Sequence, residues 1–441
     1  MKNLTWQNPE QLFVAQELIN KVKSKCCGIK DKKEDCCGCN ACVQRCPKHC
    51  IAMVEDQEGF SYPRINSNLC VDCGLCEKVC PKLNIRQRLN TLGYFAVKNN
   101  NESERLASSS GGVFILLAKE IISSGGVVFG AVYDENWEVH HVSATNLLEV
   151  YPMMGSKYVQ GRIEESYKQA ETFLKEGRKV LFTGSPCQIA GLMSFLRFKE
   201  YPNLLAVDFL CHGVPSPGIW RQYLAESFGG YNRTAKMSPK ATDGKNTVLF
   251  QSLNAKSPIG DIKFRDKTDG WKKYRFVVRQ KSASKADQNS VLSFVFHYDN
   301  EYMNGFLNDI YLRPSCYHCS LKNGASHSDM TIADYWAAKV VDKDFDDDKG
   351  LGLVILYSEK GRKVFAGLDL TVREVSSENA HLYNGGFNEY TLPHPKRAKF
   401  FRMISCGYSV SDSVTTCLKV SVIRRNLRRI KTVMKKILYR A

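Results

Sequence analysis

The chain has 441 residues, 43% of them hydrophobic, with 20 Tyr, 22 Phe and 5 Trp, enough for two to four domains with real cores. Its net charge is +17 and it carries 18 cysteines, a balance that argues against an acidic or disulfide-stapled secreted protein. No apolar stretch reaches the length of a membrane span, and the opening MKNLTWQNPEQLFVAQELIN lacks an apolar signal core, so a cytoplasmic chain with reduced thiols is expected.

Residues 4–24 predict a lead helix, and a Lys/Asp-rich link completes a first segment over 1–32. A compact Cys-rich unit follows over 33–88. From residue 92 to 230 helical and strand patterns alternate: GGVFILLAKEIISSGG, VVFGAVYD, EESYKQAETFLKEG, RKVLFTG, PCQIAGLMSFLRF and NLLAVDFL. That alternation predicts βαβ units and a largely parallel sheet. Residues 231–395 open with the strand-rich stretches TVLFQSL, YRFVVRQK and VLSFVFHY, which predict an antiparallel or mixed second lobe. A basic tail occupies 396–441.

The Cys-rich unit repeats one motif. Cys36, Cys39, Cys42 and Cys46 have the spacing C-x2-C-x2-C-x3-C-P, and Cys70, Cys73, Cys76 and Cys80 repeat it. This is the spacing of bacterial two-cluster ferredoxins, in which the fourth Cys of each run serves the other run's cluster. Cys36, Cys39, Cys42 and Cys80 are therefore assigned to one 4Fe–4S cluster, and Cys46, Cys70, Cys73 and Cys76 to a second. Zinc sites prefer two separated Cys pairs, which these runs are not. Cys26, Cys27, Cys37 and Cys50 receive no role.

Four further cysteines are scattered: Cys187 in FTGSPCQIAG, Cys211 in DFLCHGVPSP, and Cys316 with Cys319 in RPSCYHC. Cys187 and Cys211 each follow a predicted strand. If those strands pair in parallel, both thiols reach the carboxyl edge of one sheet, where ligands gather. The C-x2-C pair then completes a four-thiolate set. A small core residue after a strand and half of a zinc site are the alternatives. SSSGGVFILL places Ser108 to Gly112 at a helix start, where backbone N–H groups and the dipole favour a phosphate, with an ordinary N-cap as the alternative.

SSSGGVFILLAKEII, GSKYVQG, FTGSPCQIAGL, CHGVPSPGIW, FRDKTDGW, RPSCYHC and SDMTIADYW occur in the order of the coenzyme F420 hydrogenase/dehydrogenase beta-subunit family, which residues 93–385 resemble. The resemblance implies an α+β protein: an N-terminal bacterial-type two-cluster ferredoxin unit, then an α/β flavin-binding domain with a mixed second lobe. It implies FAD and a third 4Fe–4S cluster at Cys187, Cys211, Cys316 and Cys319, with Ser110, Gly111, Gly112, Lys157 and Tyr158 as flavin-site candidates. Ala333 and Ala337 stand where the family pattern has Gly, which sets coenzyme F420 itself in question as a further cofactor. A fused ferredoxin unit with a basic tail further resembles bacterial members associated with surface-polysaccharide synthesis.

The expected activity is that of an iron–sulfur flavoprotein oxidoreductase. Electrons pass between a ferredoxin-like donor or acceptor and an organic molecule, since flavin converts one-electron to two-electron chemistry. An electron-transfer subunit without its own substrate is the alternative, and a zinc-stabilised basic binding protein is a third. IKFRDKTDGWKKYRFVVRQK has eight basic and two acidic residues, which suits an anionic small-molecule substrate or a solvated strand face equally. His212 is a candidate proton donor. DKDFDDDKG is no calcium loop, because Asp347 replaces its Gly and Leu353 its final Glu. In the tail, Val420, Ile423, Leu427, Ile430, Met434 and Ile437 form one apolar stripe on a cationic helix, which predicts peripheral contact with the inner face of a membrane, with docking on the protein's own core or on a partner as the alternative. Nucleic acid is not expected, because no aromatic residues interleave the charge. A homo-oligomer is compatible with the chain.

Overall fold

The computed structural model describes residues 33–229, 259–281 and 291–419. The lead helix, Cys26, Cys27, the stretch TVLFQSL and the stripe from Val420 to Ile437 lie outside the described residues.

The two cysteine runs share one backbone path. Gly38 (φ 72°) and Asn40 (φ 65°) are left-handed in the first run, and Asp72 (φ 48°) and Gly74 (φ 67°) occupy the same places in the second. Glycine, asparagine and aspartate are the residues that enter this region at least cost. Alternating left-handed residues curl each C-x2-C-x2-C loop around one centre, and short helices at Ala41–Arg45 and Leu75–Lys78 close the loops. A hairpin of β1 (Ile51–Glu55) and β2 (Ser61–Ile65), in the register Ile51↔Ile65, joins the halves.

The central sheet has eight strands: β3 (Gly93–Asn99), β4 (Val127–Tyr133), β5 (Val139–Ala144), β6 (Val180–Gly184), β7 (Leu204–Phe209), β11 (Met330–Asp334), β12 (Gly352–Leu356) and β13 (Leu370–Glu374). Their order is β13-β3-β12-β11-β7-β6-β4-β5. Only β11/β7, β7/β6 and β6/β4 pair in parallel. The expectation of a largely parallel sheet is corrected to a mixed one. Crossover helices Ser166–Lys175 and Pro186–Phe195 enforce the β4/β6 and β6/β7 pairs, whereas the tight β4–β5 connection permits only an antiparallel one. The sheet also takes strands from both sides of residue 230, so a boundary there does not divide it.

The second lobe is the antiparallel sheet of β8 (Ile259–Asp266), β9 (Arg275–Gln280) and β10 (Val291–Phe296). It packs with the helix Pro217–Phe228 around Trp220, Phe264, Phe276 and Tyr302, whose rings meet edge-on or tilted. The start of the basic tail joins this core. Helices Arg397–Ser405 and Val410–Leu418 bury Phe400, Ile404, Val410, Val414 and Cys417 in it. Among the described residues no helix is long and apolar enough to cross a membrane.

The front unit is welded to the central sheet's helices. The buried Gln44 Oε1 accepts from the backbone N–H groups of Tyr167 and Lys168, at the open end of Ser166–Lys175. Arg45 lies 3.9 Å over the ring of Phe195. Between them Gly191 meets Cys39: a Cβ there would stand 2.9 Å from the Cys39 Cβ and 2.7 Å from the Tyr167 hydroxyl. Gly191→Ala is therefore expected to cost about 1–3 kcal/mol, read as a lower urea midpoint with loss of iron from the front unit.

Candidate metal and flavin centres

The thiols fall into three groups. Cys36, Cys39, Cys42 and Cys80 are all buried. Burial pushes the Cys42 thiol up to about 12, and neighbouring Cys36, Cys80 and Cys76 add to the shift. Cys80 is raised by burial too, against two backbone N–H groups that lower it, with Cys36 adding to the rise. Cys80 thus stands among the first three cysteines of the other run. Cys46, Cys70, Cys73 and Cys76 line a cavity of about 120 Å³ floored by Ile51 and Ile65. Cys73 is exposed, so this second group opens to solvent.

The third group joins residues 132 positions apart in the chain. β6 and β7 pair in parallel with Gly184 opposite Asp208. Cys187 follows β6 in the first turn of Pro186–Phe195, and Cys211 follows β7 by two residues. The turn Pro314–His318 brings in Cys316, with Cys319 capping it. All four line one cavity of about 30 Å³ together with Cys37, Lys82, His212 and Lys322. Burial pushes Cys316 up to about 12, the Val214 N–H opposes it, and Cys187 and Cys319 raise it further.

This donor set fits iron–sulfur cubanes. Facing thiols in a dry interior hold their protons until a cationic core takes their place. Among the described residues no three His, Cys, Asp or Glu side chains converge on a point suited to a single metal ion; the thiols of the second and third groups instead ring cavities.

Two thiols left without a role by sequence sit inside these groups. Cys50 Sγ lies 3.4 Å from Cys46 Sγ. Cys37 packs in one hydrophobic cluster with Cys39 and Cys187 and lines the cavity of the third group, and so links the first group to the third. Their only sequence signal was the doubling in CCGC and the odd Cys after Lys-His, neither of which carries a position. The partner of His212 was equally hidden: its Nε2 donates to Asp309 Oδ1 at 2.6 Å, and Thr391 donates to the other carboxylate oxygen at 2.7 Å.

The flavin candidates form a separate neighbourhood. The helix Val113–Ser123 starts one residue after Gly112, which is left-handed (φ 84°), and no side chain caps it. The serines turn elsewhere. Ser110 Oγ donates to the carbonyls of Leu351 and Ala333 at 2.8 and 3.2 Å, and Ser109 Oγ accepts from the Ser156 N–H at 2.7 Å. Gly111 presses on β12 so closely that a Cβ would stand 2.4 Å from Gly352 N. The Ser109–Ser156 bond brings Lys157 and Tyr158 alongside. Tyr158 packs on Phe306 and Phe264, and its carbonyl accepts from the Tyr302 hydroxyl.

Two lysine amines flank this loop, and their hydrogen bonds run to backbone carbonyls. Lys157 Nζ donates to Met153 O and Met154 O at 3.3 and 3.1 Å. Lys267 Nζ donates to Arg105 O, Ser110 O and Lys349 O at 2.8–3.0 Å. Burial drives both down to about 7, helped at Lys267 by the Arg265 charge. A bound anion would favour the protonated form of both, which suits the phosphates of a dinucleotide. The rest of the basic stretch is largely neutralised: Arg265 pairs with Asp334, Lys272 with Asp346, Arg275 with Asp269 and Arg279 with Asp261. Trp271 stacks on Trp336 at 4.4 Å beside the Arg265 pair.

Comparison with known proteins bears on both halves. Residues 35–84 match the 4Fe–4S dicluster domain, and residues 177–377 match the family described as the C terminus of the coenzyme F420 hydrogenase/dehydrogenase beta subunit. One subunit of the F(420)H(2) dehydrogenase of Methanosarcina mazei is 26% identical over 188 residues, 40% of this chain and 53% of that protein. A 7Fe ferredoxin of Hydrogenibacillus schlegelii is 38% identical over 60 residues, 14% of this chain and 60% of that protein. The chain thus spans about half the length of the curated relatives it matches. A chain of the F420-reducing [NiFe] hydrogenase complex from Methanosarcina barkeri superposes with a TM-score of 0.42 at 14% identity, over 70% of this chain and 97% of that one. Residues 177–377 are thus similar to the C terminus of the coenzyme F420 hydrogenase/dehydrogenase beta subunit, and residues 35–84 to a 4Fe–4S dicluster domain.

Proposed function

We propose that this protein is an iron–sulfur flavoprotein oxidoreductase that takes single electrons from a ferredoxin-like donor and delivers them in pairs to an organic acceptor. The observation that carries this reading is the shared wall between thiol groups: Pro186–Phe195 presents Cys187 to the third group and, through Gly191, packs against Cys39 of the first. When bound, the clusters supply one-electron transfer and FAD supplies two-electron chemistry.

The chain's own residues have the following roles. Cys36, Cys39, Cys42 and Cys80 hold one cluster, Cys46, Cys70, Cys73 and Cys76 the second, and Cys187, Cys211, Cys316 and Cys319 the third. The exposed Cys73 marks the side at which a donor approaches. Beside Ser110, Gly111, Gly112 and Tyr158, Lys157 and Lys267 would answer the phosphate charge of a bound FAD. With Nε2 donated to Asp309, His212 has Nδ1 left to give or take a proton. The acceptor is an anionic small molecule, surface-polysaccharide synthesis is its setting, and the cytoplasm its place. A second reading, an electron-transfer subunit serving a partner enzyme, draws support from the relative that is itself one subunit of a dehydrogenase.

Oxygen-free purification is expected to yield a brown protein with iron, acid-labile sulfide and flavin in one sample. A colourless, flavin-free protein with stoichiometric zinc overturns the proposal. Re-oxidation of the flavin by small acceptors without a partner separates the enzyme from the subunit. Cys316→Ser should lower iron by one cluster's worth while the front unit keeps its own; unchanged iron removes the third cluster. Lys157→Met should weaken FAD binding at least tenfold, or about 1.4 kcal/mol. Lys157 folded has lost, by about pH 7, a proton that the unfolded chain keeps to 10.5. An arriving anion restores that proton, so FAD binding at pH 8 should take up protons in the parent and fewer in Lys157→Met, measured by calorimetry in buffers of different ionisation heat.

A further inference from the structure

Arg313 is 1% exposed, and no carboxylate among the described residues lies within ion-pairing distance of it. Its Nε donates to Cys36 O at 2.8 Å, one terminal nitrogen to Gln160 Oε1 at 2.9 Å and the other to Ser61 O at 3.0 Å. The latter nitrogen also reaches Cys36 Sγ at 3.7 Å. The guanidinium lies 4.2 Å from the centre of the Tyr62 ring and 5.5 Å from that of Phe60. A buried guanidinium without an anion is costly, and such groups are kept where something answers the charge. The nearest groups able to do so are the thiols of Cys36, Cys37 and Cys316 and the Tyr62 phenol. Of these, Cys36 Sγ is the one that the guanidinium reaches as a hydrogen-bond donor.

We propose that Arg313 is a positioning residue that sets the reduction potential of the inner front centre, the one held by Cys36, Cys39, Cys42 and Cys80. This rests on the reading that these cysteines hold a cluster. A four-thiolate cluster is anionic, and an added electron makes it more so. A fixed cation and an N–H···S bond at a ligand sulfur favour the reduced form and raise the potential. Transfer from the outer centre then oxidises that centre by one electron and reduces the inner one by one, with no proton moved. A higher inner potential favours that step toward the core. Arg313 also precedes Cys316, whose N–H donates to the Arg313 carbonyl at 2.9 Å, so the same residue stands at the third group.

The test is an EPR-monitored redox titration of the full chain under anaerobic conditions, with iron and sulfide measured on each sample. The inner front signal is the one that Cys42→Ser removes. In Arg313→Met the reduced-to-oxidised ratio of that signal at fixed poise is expected to fall at least tenfold, which is 59 mV for one electron. Gln160→Glu, which sets a carboxylate against the guanidinium with little change of shape, should shift it the same way by less, and it decides the matter if Arg313→Met fails to hold iron. Cluster-replete variants with an unchanged midpoint overturn this proposal alone, as does an equal shift of every cluster. A parent chain with neither iron nor sulfide overturns it together with the proposed function.

Discussion

Several thiols that face one another in a dry interior cannot all ionise unless positive charge stands among them. Burial and mutual repulsion drive Cys42 and Cys316 up to about 12. Such groups are inert as acids and nucleophiles, yet they become a strong ligand set once a cationic core replaces their protons. The whole architecture serves this constraint. Left-handed turns curl two loops, a parallel strand pair aligns two sheet ends, and Arg313 supplies a cation that no carboxylate among the described residues cancels.

The parallel part of the sheet is small and sits where it is needed. Its three parallel pairs are central, and antiparallel strands flank them on both sides. Ligand positions arise at the carboxyl ends of parallel strands because their crossovers leave loops there free to bend over the edge. Cys187 and Cys211 exploit the β6–β7 pair. On the other side of β7, β11 ends at Asp334, which holds Arg265 and leads into the Trp336 stack. One strand edge therefore positions both a thiol group and an aromatic, cationic neighbourhood.

Much of this was legible in the chain. The C-x2-C-x2-C-x3-C-P spacing is a local covalent constraint, so it specifies which eight thiols can gather without knowledge of the fold. The strands ahead of Cys187 and Cys211 were legible because continuous apolar runs between helices signal buried parallel strands. The flanking antiparallel strands were not, because β12 inserts between β3 and β11 and no local pattern records a neighbour some 250 residues away. Cys37 and Arg313 were illegible for the same reason. Their chemistry comes from packing between the front unit and the turn Pro314–His318, a contact that neither segment encodes alone. The basic stretch read as an anion site was misleading in part, because its arginines find aspartates in three dimensions.

The arrangement of exposure carries a further consequence. The outer thiol group opens to solvent at Cys73, the inner front group is wholly buried, and the third group is half-buried again. On the proposed route, charge entering at the surface crosses the driest region before it reaches the third group. A dry centre opposes added negative charge more than a wet one, so a chain of identical clusters would place its barrier in the middle. Uncompensated positive charge at that point lowers the barrier. Arg313 is the group positioned to supply it, and a paired arginine could not, because its carboxylate would cancel the field that an arriving electron feels.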